Sequence, residues 1–197
     1  MSSDNADSAG GGAAPLLSPD FVREVPAGDN RLREVCRHCG FVHYVNPKIV
    51  VGALVVANER LLLCRRAIEP RAGYWTMPAG FLETGETLED GARREAREEA
   101  EADLILERML AVYSLPHISQ VQIFYLAHLA RPHVAPGPES REVQFFPLSA
   151  IPWKTLAFPS VEWTIRAWLS DRKEGVARLH TSPPPDFDIA AWLKAHS

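Results

Sequence analysis

The stretch GFLETGETLEDGARREAREEAEAD, from Gly80 to Asp103, decides the fold. It carries nine acids against three arginines, whereas the whole 197-residue chain has a formal net charge of only -4. Something local has to hold that surplus. From about Thr87 the segment reads as a helix. Each helical residue advances about 100°, which puts Glu98 at about -60° and Glu99 at about +40° from Glu95. Leu88, Ala92, Ala96 and Ala100 follow between about 20° and 140°, a small apolar stripe that can approach a sheet closely. Two of the three glutamates therefore border the buried side. The opposite face carries Glu89/Arg93, Asp90/Arg94 and Arg97/Glu101, expected as i,i+4 pairs of ~0.3–0.5 kcal/mol each. A merely solvated helix explains the inner arc poorly. Carboxylates three and four residues apart repel, and desolvating them costs several kcal/mol per ion without a partner. A hard divalent cation, Mg2+ or Mn2+, is the natural partner, because it takes carboxylate oxygens and leaves positions for water and phosphate. Gly80 and Gly85 in the preceding loop let backbone approach an ion or ligand.

Outward from this segment the chain reads as one α/β domain with appendages. Residues 1–15, MSSDNADSAGGGAAP, are small and polar and are expected to be a disordered tail. Residues 16–46 form a short polar module containing VCRHCGFVHYVNP. Residues 47–182 hold the main domain, and 183–197 a C-terminal extension. IVVGALVVA and RLLLCRRA, on either side of Asn58-Glu59, predict a hairpin of buried strands. Leu104–Leu115, Val121–Ala130 and Glu142–Leu148 read as further strands. A second helix is expected from a Ser160 N-cap to Ser170, and a short one over Asp186–Ala195 that packs Trp192 onto the body. Strands, helix, strands, helix predict a mixed sheet between helices.

Gly80, five residues, Glu86, seven residues, then Arg94-Glu95-Ala96-Arg97-Glu98-Glu99 resembles the box of the Nudix family, G-x5-E-x7-R-E-U-x-E-E-x-G-U. One position departs: the late glycine is Glu101, so either the helix runs on by a residue or its exit is mildly strained. The resemblance implies a Nudix α/β/α sandwich and a metal-dependent hydrolase of nucleoside diphosphates linked to another moiety. It implies that Glu98 and Glu99, with the Gly80 carbonyl, ligate Mg2+ or Mn2+, and that Glu95 is a ligand or base. Glu86 and Arg94 would brace the loop against the helix. Some relatives take the base from a later loop, here PGPESREV, so Glu139 and Glu142 are candidates. Between about Leu32 and His180, stretches such as LLLCRRAIEPRAGYWTMPAGF and IPWKTLAFPS resemble a subgroup that includes FAD and ADP-ribose pyrophosphatases. The SQPWPFPxS element that marks NADH pyrophosphatases is replaced by SLPHISQVQIF over Ser114–Phe124, which disfavours NADH. A non-catalytic module of the same fold that senses a nucleotide is the other alternative. Tyr74, Trp75 and Phe81 either stack on a purine or flavin or pack as core and loop aromatics. Arg65 and Arg66 alternate along a strand, so at most one faces a phosphate; Arg66 and Glu142 are taken with Trp75 and Phe81 as substrate-binding candidates.

Cys36-Arg37-His38-Cys39-Gly40 looks like one knuckle of a zinc ribbon, a module that often precedes this subgroup. A closed zinc site needs four ligands. APLLSPDF, where the other knuckle belongs, has no cysteine, so a degenerate ribbon without Zn2+ is expected. Cys64 reads as a packed core thiol. Three cysteines and no secretory signal suggest a reducing cytoplasm. Mild net acidity disfavours a nucleic-acid coat protein, and no apolar run approaches the ~20 residues of a membrane helix. A nucleotide-diphosphate small molecule is the expected partner, with a homodimer possible by family analogy.

Overall fold

The computed structural model describes residues 20–196, so the expected tail over 1–15 lies outside the described residues. The chain divides into two units, one through Asn46 and one from Pro47. In the first, β1 (Phe21–Glu24), β2 (Arg33–Cys36) and β3 (Val42–His43) form a small antiparallel sheet in the order β1-β2-β3.

The second unit begins with β4 (Lys48–Ala57) and β5 (Arg60–Arg66). They form the expected hairpin, pairing Val56 with Leu61 and Ala57 with Arg60 around Asn58 and Glu59, which both have positive φ. Beyond that closed end the two strands splay. β7 (Ala79–Phe81) pairs with β4 opposite Val50–Gly52, and β6 (Trp75–Thr76) pairs with β5 opposite Cys64 and Arg65. The loop that opens the acidic segment is thereby wedged into the sheet. β8 (Leu104–Leu115), β9 (Gln120–Leu129) and β10 (Ser140–Pro147) complete the order β10-β5-β4-β9-β8. β4 runs parallel to β9 and antiparallel to its other partners, so the sheet is mixed.

Alternation along β4 assigns the two faces of the sheet. Val51, Ala53 and Val55 share a buried cluster with Ala92, Ala96 and Ala100 of α1 (Leu88–Ala100). Leu54 joins the opposite cluster with Leu61, Leu63, Trp163 and Ile165, the last two from α2 (Pro159–Glu174). Full burial of each Leu or Ile contributes ~1.5–3 kcal/mol. The result is a helix–sheet–helix sandwich. The start of α2 differs from expectation. Phe158, extended at φ -138, is the N-cap and Pro159 the first turn, while Ser160 makes no capping bond. Proline's fixed φ and missing N–H suit that first position. A short α3 (Ile189–Ala195) is capped by Asp188, and its Trp192 is buried. Among the described residues no helix is long and apolar enough to cross a membrane.

Candidate active site

Thr87 starts α1 by accepting the Asp90 N–H on its hydroxyl at 3.1 Å. The inner arc then falls as the periodicity requires: Glu95 and Glu99 are 8% and 6% exposed, and the Glu98 side chain is 57% exposed. Arg94 organises the outer part. Its Nε and Nη2 grip the two oxygens of Glu86 at 2.6 and 3.0 Å, and Nη2 also donates to the Phe81 carbonyl at 3.0 Å. Its Nη1 donates to Glu95 at 2.8 Å and to Glu98 at 2.9 Å. One rigid fork thus joins the loop before the helix to three carboxylates.

The three expected i,i+4 pairs on the outer face give way to other partners. Glu89 accepts from the Tyr125 hydroxyl, Arg93 lies 3.6 Å from Asp90, and Arg97 turns to Asp103. For Glu89 and Arg97, partners fixed by the sheet and by the loop after the helix offer better geometry than flexible neighbours along the same helix, whereas Arg93 shifts only to an i,i+3 neighbour. Glu101 resolves the anomaly of the motif. It occupies the left-handed region at φ 48, ψ 28, its N–H bonding the Arg97 carbonyl while the Ala102 N–H bonds the Ala96 carbonyl, so the helix ends where a glycine would end it. The side chain pays about 1 kcal/mol of conformational strain there.

Glu99 accepts a 3.0 Å bond from the Ala79 N–H. Burial, reinforced by the Glu95 charge, pushes its carboxyl up to about 8 despite that bond. Glu95 is also raised, burial outweighing Arg94, whereas the hydrogen bond from Arg94 holds Glu86 below the usual range. Gly80 packs directly on Glu95, since a Cβ there would stand 2.4 Å from both Glu95 oxygens. The segment between β9 and β10 closes the far end of the helix. Ala135 and Gly137 donate to the Ala100 and Glu99 carbonyls at 2.9 and 3.2 Å, satisfying acceptors that a helix end leaves open. A Cβ on Gly137 would lie 1.6 Å from the Glu98 carbonyl oxygen, so only glycine fits this approach. Glu139 is thereby delivered to the same cavity.

That cavity has a volume of about 920 Å³. Gly80, Arg94, Glu95, Glu98, Glu99 and Glu139 form its charged floor, and Arg66, Phe81, Gln122 and Phe158 stand on its walls. Of the sequence candidates, Arg66 faces in while Arg65 turns away to the Gly73 carbonyl and Glu142. Glu86 stands behind Arg94 and does not line the cavity. Two candidates need correction. Trp75 is buried in the core, edge-on to Phe146 at 4.8 Å, because β6 turns it away from the cavity. Glu142 lies on β10, 3.5 Å from Arg65 at the sheet surface. Gln120, Gln122, Ile118 and Phe158 carried no local signal, since their proximity arises only when β9 pairs with β4 and α2 docks.

Among the described residues, no three His, Cys, Asp or Glu side chains stand grouped to hold a metal ion. Arg94 is ion-paired with both Glu95 and Glu98, at 2.8 and 2.9 Å. The donors nevertheless suit a hard divalent cation: buried carboxylates raised by desolvation, a third on the same cavity wall, and a close glycine backbone. The cysteine pair is different. The turn after Cys36 is closed by Gly40 N–H to the Cys36 carbonyl at 2.9 Å, and the backbone N–H groups of Cys39 and His38 lower the Cys36 thiol. His43 is engaged by Glu34 at 3.1 Å. Two thiols do not complete a closed four-ligand zinc site in one chain. Cys64 is a core thiol raised by burial.

A mixed sheet between helices, with a loop and helix turning buried carboxylates toward a large cavity, defines an acid-floored phosphohydrolase type of site. The chain belongs to the Nudix family: the NUDIX domain model matches residues 46–169. A zinc-ribbon model described as Nudix N-terminal matches residues 19–45. A NUDIX hydrolase structure from Nitrosomonas europaea is 39% identical with a TM-score of 0.79, over 86% of this chain and 97% of that one. An ADP-ribose pyrophosphatase from Methanocaldococcus jannaschii is 29% identical over 115 residues, 55% of this chain and 67% of the relative. The NAD-capped RNA hydrolase NudC of Vibrio atlanticus is 30% identical over 126 residues, 62% of this chain. The chain spans about half of that relative's length, 46%.

Proposed function

We propose that the chain hydrolyses the pyrophosphate bond of a nucleoside diphosphate linked to another moiety, ADP-ribose or FAD first, with Mg2+ or Mn2+. The observation that carries this reading is the buried Glu95–Glu99 pair beneath Gly80 in a cavity of about 920 Å³, large enough for a dinucleotide. Glu95, Glu98, Glu99 and the Gly80 carbonyl would hold the cation. When bound, it supplies neutralisation of the diphosphate and activation of water. Arg94, fixed by Glu86, keeps the glutamates in register. Glu139 is the better placed candidate for the base that takes the proton of the attacking water, because it lines the cavity and Glu142 does not. Arg66 meets phosphate, and Phe81, 49% exposed, offers a ring face to the base or flavin. Water adds at phosphorus, the anhydride P–O bond breaks, and two monophosphates leave.

The ADP-ribose pyrophosphatase relative supports that substrate, and the NudC relatives keep NADH and NAD-capped RNA in the comparison. The intact Arg94-Glu95 and Glu98-Glu99 pairs favour turnover over nucleotide sensing. The test is a panel of ADP-ribose, FAD, NADH, diadenosine polyphosphates and NAD-capped RNA with Mg2+ and Mn2+. Glu98→Gln is expected to remove nearly all turnover and weaken Mg2+ binding with the fold intact; unchanged Mg2+ binding would sink the metal assignment.

A further inference from the structure

α3 lies beyond the residues matched by the NUDIX domain model, yet it is tied to the cavity wall from two sides. Trp192 donates its indole N–H to Glu162 at 2.7 Å, and Glu162 follows directly on Val161, a lining residue of α2. His196 stacks on Trp192 at 3.9 Å, and its Nε2 lies 3.0 Å from the Trp153 carbonyl. From the other side, the Arg71 guanidinium donates to the His196 carbonyl and lies 5.3 and 5.8 Å from the Tyr74 and Trp192 rings.

Arg71 belongs to the loop that carries Ile68, Glu69 and Pro70 along the cavity. The base of the loop is closed by the Gly73 N–H to the Arg66 carbonyl and by the Ala67 N–H to the Glu139 carbonyl, both 2.8 Å. Its crest is exposed, and Arg71 itself sits at φ 67, where a side chain costs about 1 kcal/mol. A loop with so little burial of its own needs an outside tether. The neighbouring Pro70 carbonyl accepts from Arg66 Nε at 2.8 Å, so the position of the loop becomes the position of the Arg66 guanidinium.

We propose that α3 is a strap that holds the Ala67–Gly73 loop against the cavity through Arg71 and so fixes Arg66 for the phosphate end of the substrate. The inference rests on the pyrophosphatase reading above, and Arg71 is a positioning residue. Arg66 would touch substrate in the ground state and the transition state alike, so loosening it removes uniform binding and raises KM more than it lowers kcat.

The test uses the full chain and two variants. Arg71→Ala cuts the tie and leaves the Trp192–Glu162 and His196–Trp153 contacts; Trp192→Ala releases the helix. Hydrogen exchange over residues 67–74 is followed with the far-UV spectrum and ADP-ribose kinetics. Faster exchange in that loop in both variants, with KM raised about tenfold and kcat within about twofold, is the expected result. Unchanged loop exchange in Arg71→Ala overturns the strap, as does a loosened loop with unchanged KM. A wild-type chain that cleaves nothing in the panel would count against the pyrophosphatase reading alone, and the exchange data would still decide whether α3 holds the loop.

Discussion

Replacing Glu99 by Gln should raise the stability of the metal-free protein at pH 8 and leave it nearly unchanged near pH 4.5. The carboxyl has an ordinary value of 4.5 and is pushed up to about 8 in the fold, chiefly by burial and then by the Glu95 charge. Between those values the unfolded chain has shed a proton that the folded chain keeps, so stability falls as pH rises. The contribution is fully present below 4.5 and lost above about 8. At ~1.36 kcal/mol per pH unit, that span bounds the loss at about 5 kcal/mol. Gln has nearly the same shape, keeps an acceptor for the Ala79 N–H, and carries no proton to lose. Glu86 and Asp103, held low by hydrogen bonds from Arg94 and Arg97, act at more acid pH. Glu95, also raised by burial, is coupled to Glu99 through its charge, so the difference between wild type and variant reports this buried pair. Urea midpoints in EDTA from about pH 4.5 to 8.5 give the curve. Added Mg2+ should restore the wild type increasingly with pH and do far less for the variant. A flat difference across the window, or a Gln variant less stable at pH 8, would refute the view of Glu99 as a desolvated carboxyl awaiting a cation.

Gly80→Ala inserts a methyl 2.4 Å from both Glu95 oxygens, and steady-state kinetics should record a loss of roughly 100-fold in turnover from the displaced carboxylate. Arg94→Ala leaves Glu95 buried without its cation and frees Glu86; denaturant unfolding should show about 3 kcal/mol of destabilisation. Glu101→Gly relieves the left-handed exit at φ 48 and gives up only an exposed contact with His133. Calorimetry should find about 1 kcal/mol of added stability, a Tm rise of about 2–4 °C.

Features set by neighbours in sequence were legible before any coordinates. The Asn58-Glu59 hairpin, the alanine stripe of α1 and the burial of Glu95 and Glu99 follow from local periodicity and turn chemistry. The sheet order was not legible, because the parallel pairing of β4 with β9 joins residues about seventy positions apart. The cavity walls suffer for the same reason. Trp75 and Phe81 look alike as exposed-loop aromatics, and only the splaying of β4 from β5 sends one into the core and the other to the cavity. Glu139 and Glu142 were equal candidates until the Gly137 contact with the helix end brought the first to the cavity. Arg94 was legible only in part: its wheel position suggests a surface pair with Asp90, whereas the brace to Glu86 that the family resemblance implies is the one that forms, at 2.6 and 3.0 Å.

The most direct test is hydrolysis of ADP-ribose by the purified chain with Mg2+ in ¹⁸O-labelled water. Equal amounts of AMP and ribose 5-phosphate should form, with one labelled oxygen in one product, and both EDTA and Glu98→Gln should abolish them. The same products at the same rate from Glu98→Gln, or in EDTA, would contradict the assignment of the Gly80–Asp103 acids to a cation that serves pyrophosphate cleavage.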